Sequence, residues 1–141
     1  MIESKNIKMS KSEEETESLG SQFAQRLQGG EVIGLVGDLG AGKTAFVRGM
    51  AQGLRLNAQQ VMSPTFTLVN EYPGTPLTLI HVDLYRLNHP SELNTLGLED
   101  YLSAQQIMVI EWADKLPSLW FKDMILITLQ IHNGTRKIQG I

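Results

Sequence analysis

Short apolar runs alternate along this chain with segments whose apolar residues recur every three or four positions. The runs Glu31–Val36 (EVIGLV), Leu77–Val82 (LTLIHV), Ile107–Ile110 (IMVI) and Met124–Ile131 read as strands. EVIGLV is bounded by glycines and apolar throughout, as a strand buried on both faces must be. A helix follows Ser12-Glu13-Glu14-Glu15, with Ser12 as N-cap and Glu15 at the third helical position. It puts Leu19, Phe23, Ala24 and Leu27 on one face and is expected to stop at Gly29-Gly30. A second helix, Lys43 to Leu54, buries Phe46, Val47 and Met50, with Gly53 near its end. Val61 and Phe66–Val69 read as extended, and Tyr72–Pro76 reads as a turn. Residues 84–105 are partly helical, broken around Asn88-His89-Pro90, with Ser91 as cap for a helix holding Leu93 and Leu96. Asn133-Gly134 is a hairpin signal that sends residues 135–141 back antiparallel. Residues 1–11 read as a frayed or edge segment. The alternation predicts an α/β domain with a mixed sheet and a C-terminal antiparallel hairpin.

Composition narrows the function classes. The 141 residues suit one domain, spanning 1–141, and contain neither an internal repeat nor a low-complexity linker. A net charge of −3 offers no global basic excess for gripping a phosphate backbone. Zero cysteines remove disulfides, thiolate metal sites and thiol catalysis. Three histidines, His81, His89 and His132, share no metal-ligand spacing. The polar N-terminus lacks the apolar core of a signal peptide. The longest apolar stretch, Met124–Ile131, is far short of the ~20 residues that span a bilayer. The expectation is a soluble cytoplasmic domain with no membrane contact.

The sharpest chemical signal is Gly37-Asp38-Leu39-Gly40-Ala41-Gly42-Lys43-Thr44, which meets every fixed position of G-x-x-x-x-G-K-[ST]. It follows a predicted strand and opens a predicted helix, as the chemistry requires. Glycines let successive backbone N–H groups converge on phosphate oxygens, and the helix N-terminus adds its positive dipole end. Asp38 to Thr44 are therefore the candidate nucleotide-binding residues. Lys43 supplies a point charge for the β- and γ-phosphates, and Thr44 supplies a hydroxyl for Mg²⁺. The fold expectation sharpens to a P-loop NTPase-like three-layer domain with a mixed, mainly parallel central sheet.

Two of the predicted strands end in carboxylates, Asp83 and Glu111. A P-loop enzyme needs such a group at a neighbouring strand tip to hold Mg²⁺, and a second group to orient water. Spacing does not divide these roles between Asp83 and Glu111, and an ordinary surface carboxylate at a strand end is the competing reading. Ser63-Pro64-Thr65-Phe66-Thr67 is a stiff, hydroxyl-bearing turn where P-loop proteins place a γ-phosphate sensor, with Thr65 as its candidate contact; an ordinary polar loop is the alternative. Trp112 adjoins Glu111 and suits a fluorescence reporter. Arg86 and Arg48 are candidate charge stabilisers, although the helical position of Arg48 favours a solvated or salt-bridged face. No N-K-x-D motif selects guanine. Arginine is sparse between Asp83 and Trp120, which disfavours a small-molecule kinase with an arginine-rich lid.

The segments GDLGAGKTAFVRGM, SPTFTLVNEY, HVDLYRL, LGLEDY and IEWADKL resemble, in order and interval, the bacterial TsaE (YjeE) family. The resemblance covers about residues 12–120. SPTF combined with H-x-D-x-Y-R and I-E-W is far more specific than the phosphate loop alone, and Glu-Glu-Glu-Thr with Leu19-Gly20 fits the family's opening helix. It implies an ATP- and Mg²⁺-binding ATPase, slow alone, of tRNA threonylcarbamoyladenosine synthesis. It implies work with the transferase subunit TsaD and its partner TsaB, contact with tRNA only through that complex, and a monomer when alone. By the match, Lys43 and Thr44 carry the phosphates and metal. Asp83 is the Walker-B-like carboxylate, Glu111 a second metal-linked or water-orienting group, Ser63–Phe66 a switch, and Trp112 a neighbour of the nucleotide. Ala113-Asp114 departs from the family's frequent Pro-Glu. A nucleotide-gated binding module with incidental turnover is the competing function.

Overall fold

The apolar runs pair into one seven-stranded sheet. The computed structural model describes residues 6–38, 40–64, 68–89, 91–116 and 123–141. In chain order the elements are β1 (Ile7–Ser10), α1 (Glu13–Ala24), β2 (Val32–Gly37), α2 (Lys43–Gly53), β3 (Val69–Tyr72), β4 (Thr78–Asp83), α3 (Glu92–Leu96), β5 (Gln106–Glu111), β6 (Ile125–His132) and β7 (Thr135–Gln139). Short 3-10 turns occupy Ala58–Gln60, Leu98–Tyr101 and Ala113–Lys115. The strand order is β1-β7-β6-β2-β5-β4-β3. The four central strands run parallel, while β3, β7 and β1 each pair antiparallel with their neighbours. The mixed sheet and the C-terminal hairpin are those the sequence predicts.

Side chains alternate across the sheet with a period of two. Ile33, Leu35, Leu79, Ile107, Val109, Ile127 and Leu129 face α1 and α2, and share a core with Phe23, Phe46, Val47 and Met50. Val32, Ile80, Val82, Met108 and Ile110 face the other way and pack with Leu93, Leu98 and Ala113. Three layers result, with β2 and β5 covered on both sides.

Several boundaries differ from expectation, each for a local reason. Helix α1 stops at Ala24 rather than at Gly29-Gly30. Glu31 stays outside β2, because its carboxylate accepts hydrogen bonds from the Gln28 and Gly29 N–H groups and closes that turn. Ser12 caps α1 as expected, accepting from Glu15 N–H at 3.1 Å, while the Glu15 carboxylate reaches Lys11 N–H. Ser91 makes no side-chain cap. The Glu92 carboxylate instead accepts from Asn88 N–H and His89 N–H, both at 2.8 Å, and these bonds hold it below the usual carboxylate range. Tyr72 belongs to β3 rather than to the turn, and its hydroxyl accepts from Met62 N–H. Val61, expected to be extended, has extended backbone angles but follows a 3-10 turn and pairs in no strand. Phe66 and Thr67 lie outside the described residues.

Helices α1 and α2 approach at backbone distance. A Cβ on Gly49 would sit 1.9 Å from the Glu17 carbonyl oxygen, one on Gly53 would meet Ser21 O at 2.3 Å, and one on Gly20 would meet Phe46 O at 2.3 Å. Glycine at these positions lets the first helix rest on the helix that opens the phosphate loop. Gly49→Val should therefore force the helices apart and cost about 2–3 kcal/mol, in the usual range for overpacking. Urea unfolding followed by tryptophan fluorescence measures it, and an unchanged midpoint would refute the close approach.

Candidate functional site

The phosphate loop turns on left-handed backbone. Gly40 has φ 84° and Gly42 has φ 100°, angles that side-chain-bearing residues rarely adopt. Gly42 then accepts the first turn's bond from Phe46 N–H at 2.9 Å, so α2 starts with its N–H groups turned toward the loop. Ala41 is fully buried and anchors the loop to the core. Asp38, Gly40, Ala41, Gly42, Lys43 and Thr44 are thus brought together as expected, and Leu39 lies outside the described residues.

Parallel pairing brings the carboxylates to the same place. Glu111 pairs with Leu35 on one side and with Asp83 on the other. By strand alternation Leu79, His81 and Asp83 share the face of Ile107, Val109 and Glu111, which is the α2 face. Thr44, at the start of α2, donates its hydroxyl to Glu111 Oε2 at 3.1 Å. Asp83, one strand further from the loop, accepts from Ser63 Oγ at 3.0 Å and from Tyr85 N–H at 2.8 Å. Both carboxylates are buried. The two residues that spacing left equivalent therefore have different neighbours: Glu111 faces the loop threonine, and Asp83 faces the Ser63-Pro64 turn. Thr65 lies outside the described residues.

Lys43 Nζ donates to Gly37 O at 2.6 Å and to Asp38 O at 2.9 Å, so the ammonium folds back over its own loop. It sits 4.3 Å from the centre of the Trp112 ring, a cation–π distance. Trp112 itself has φ 60°, and Tyr85 leans on its ring with centroids 5.1 Å apart. Lys115 donates to Tyr85 O and lies 5.6 Å from the Tyr85 ring centre. Burial pushes the Lys43 ammonium below the ordinary lysine range, and the negative charges of Glu111, Asp83, Asp38 and Asp114 oppose that shift. Arg48 lies on the salt-bridged face expected for it, 3.2 Å from Glu17 and 3.5 Å from Glu13.

These groups line a cleft of about 650 Å³. The cleft is also lined by residues that the sequence analysis did not assign to the site: Lys11, Ser12 and Thr16 at the start of α1, and Gly134 and Arg136 from the C-terminal hairpin. His81, the first residue of H-x-D, was also missed. Its spacing was a usable signal, because two residues before Asp83 on one strand means the same face. Among the described residues no three His, Asp or Glu side chains form a ready-made metal cage. Oxygen donors from Thr44, Glu111 and Asp83 nonetheless suit Mg²⁺, which takes few protein ligands and completes its shell with phosphate and water. Among the described residues no helix is long and apolar enough to cross a membrane.

Comparison with known proteins bears on the family and the fold. The family model described as "Threonylcarbamoyl adenosine biosynthesis protein TsaE" matches residues 10–138. A Haemophilus influenzae protein named tRNA threonylcarbamoyladenosine biosynthesis protein TsaE is 41% identical over 110 residues, covering 78% of this chain and 69% of its own length. A Synechocystis protein of the same name is 44% identical over 108 residues, covering 74% and 68%. The crystal structure of Bacillus subtilis YdiB superposes with a TM-score of 0.72 at 30% identity, covering 94% of this chain and 82% of that one.

The Lys43 environment has a pH signature. Its folded pKa lies below the ordinary value of 10.5, so between those two values the unfolded chain binds more protons than the folded one. Its contribution to stability therefore rises with pH through that window and is lost again as pH falls through the folded value. Lys43→Met removes this term. The wild-type minus Lys43→Met difference in unfolding free energy should shift in favour of wild type as pH climbs from 7 toward ~10.5. A difference that stays flat with pH would reject a desolvated ammonium.

Proposed function

The chain belongs to the TsaE family, and on that premise we propose that it is a cytoplasmic, Mg²⁺-dependent ATPase serving tRNA N6-threonylcarbamoyladenosine formation together with TsaD and TsaB. The observation that carries the reading is the contact between Thr44 and Glu111, which joins the phosphate loop to the neighbouring strand tip. Lys43 leaves its two carbonyl acceptors and reaches the β- and γ-phosphates. Thr44 and Glu111 would hold Mg²⁺ through their side-chain oxygens, with Asp83 completing the acidic wall. Mg²⁺, when bound, neutralises charge that builds on the transferring phosphoryl oxygens. The residues themselves bind, orient and exclude water; Trp112 and Tyr85 cover the lysine side of the cleft.

The same site suits a switch. Asp83 accepts from Ser63, the first residue of the SPTF segment, so a change at the acidic wall can reach that segment through the Ser63–Asp83 hydrogen bond. Nucleotide state would then alter the surface that TsaB and TsaD meet, through Ser63–Phe66, with Thr65 as γ-phosphate sensor. A ligand shifts such a surface only by its differential affinity for the two states.

Lys43→Ala should lower ATP turnover at least ~100-fold while the domain stays folded, a loss typical of removing one preorganised charge contact. Glu111→Gln should raise the Mg²⁺ concentration needed for turnover more than Asp83→Asn does. Turnover under Mg²⁺ titration checks both, and normal activity in folded Lys43→Ala rejects the assignment. Partner affinity should differ roughly tenfold or more between ATP-analogue and ADP states, within the usual coupling range. Calorimetry with the TsaB–TsaD pair, run once with each nucleotide, measures this. Equal affinities would favour the binding module with incidental turnover.

A further inference from the structure

We propose that His81 is a positioning residue that aims the Glu111 carboxylate at the Thr44 side of the cleft, an inference that rests on the ATPase reading above. His81 Nε2 and Glu111 Oε2 lie 2.5 Å apart, with the histidine side chain fully buried and the glutamate 3% exposed. The same Oε2 accepts the Thr44 hydroxyl at 3.1 Å. One carboxylate oxygen is thus held between a histidine on β4 and a hydroxyl at the start of α2.

The other ring nitrogen fixes the tautomer. His81 Nδ1 is buried and has no hydrogen-bond partner among the described residues. A proton there would be an orphaned buried N–H, which costs about 1–3 kcal/mol. The ring therefore carries its proton on Nε2, donates it to Glu111, and leaves a bare lone pair at Nδ1. The imidazole has a single polar duty. A purely space-filling residue at this position would need no polar nitrogen at all.

The duty matters because Glu111 is a flexible side chain with a buried charge. Without a donor from the β4 side, its carboxylate would be free to swing away from Thr44 toward the Lys43 ammonium, the cation whose proton it helps retain. His81 restrains it in the arrangement that shares Oε2 with Thr44. Outer groups that orient a metal-linked ligand typically change metal affinity ~10–100-fold when removed.

The test compares His81→Gln, which can place an amide donor near the Nε2 position, with His81→Leu, which fills the volume without a donor. Binding of a non-hydrolysable ATP analogue is measured by calorimetry with EDTA and across a Mg²⁺ titration, and unfolding midpoints are recorded alongside. His81→Leu should bind the analogue without Mg²⁺ within about twofold of wild type. The Mg²⁺ concentration giving half of the metal-dependent gain should rise roughly tenfold or more. His81→Gln should recover most of that loss. Long-range proton–nitrogen NMR of the unaltered protein should show the proton on Nε2, which keeps the test decisive if a variant does not fold. The proposal fails if Leu and Gln lose stability alike with unchanged Mg²⁺ dependence, or if the ring carries its proton on Nδ1. A wild-type protein whose analogue binding ignores Mg²⁺ would instead sink the ATPase reading, and this proposal with it.

Discussion

Everything at the site depends on the parallel register of three neighbouring strands. Leu35 pairs with Glu111, and Glu111 pairs with Asp83. The register puts the last residues of β5 and β4 level with Leu35, two residues before β2 ends at Gly37 and the chain turns into the phosphate loop. A one-residue slip of β5 would send Glu111 to the opposite face, since strand side chains alternate with a period of two. The apolar set Ile107 and Val109 would go with it, out of the core shared with α2. Core packing and site geometry are therefore one constraint: the hydrophobic energy that fixes the strand also fixes the carboxylate.

The second support is the seat of α2. Its N-terminus carries Lys43 and Thr44, and its body is clamped between the sheet and α1. Gly49 and Gly53 remove the side chains that would hold α1 away, and Arg48 ties the outer edge to Glu13 and Glu17. A phosphate loop works only if its N–H groups keep their convergence without a ligand. Backbone-level contact along two turns of helix restrains α2 in addition to the side chains that interdigitate there, because the backbone atoms that meet at Gly20, Gly49 and Gly53 have no rotamer to change.

The parts legible in the sequence are those whose physics is local. Glycines at fixed spacing, a lysine and a threonine define the loop regardless of what surrounds it. Apolar runs bounded by glycine or a carboxylate define β2, β4, β5 and β6, and Asn133-Gly134 defines the last hairpin. The parts that escaped depend on side-chain contacts that no hydrophobic period encodes, some within a turn and some between distant elements. Ser91 does not cap α3, and the Glu92 carboxylate instead closes the turn before the helix by accepting from the Asn88 and His89 N–H groups. Glu31 leaves β2 for the Gln28-Gly29 turn. The unequal surroundings of Asp83 and Glu111 follow from strand order, which periodicity does not encode. Lys11 and Arg136 reach the cleft only because β1 and β7 close the sheet edge beside it.

Lys43 and Glu111 each have partners within the protein, and this shapes how the cleft can respond. Lys43 spends its ammonium on two loop carbonyls and the face of Trp112, while Glu111 is held by Thr44 and His81. A phosphate must compete with those bonds, so entry of ligand exchanges one satisfied network for another instead of filling a bare site. Trp112 lies at the centre of that network. That residue sits on left-handed backbone, with its ring against Tyr85. Tyr85 in turn receives Lys115 and donates its N–H to Asp83. The lysine, the tryptophan and the outer carboxylate thus form one connected set, and a ligand that draws Lys43 off its carbonyls acts on all of it at once.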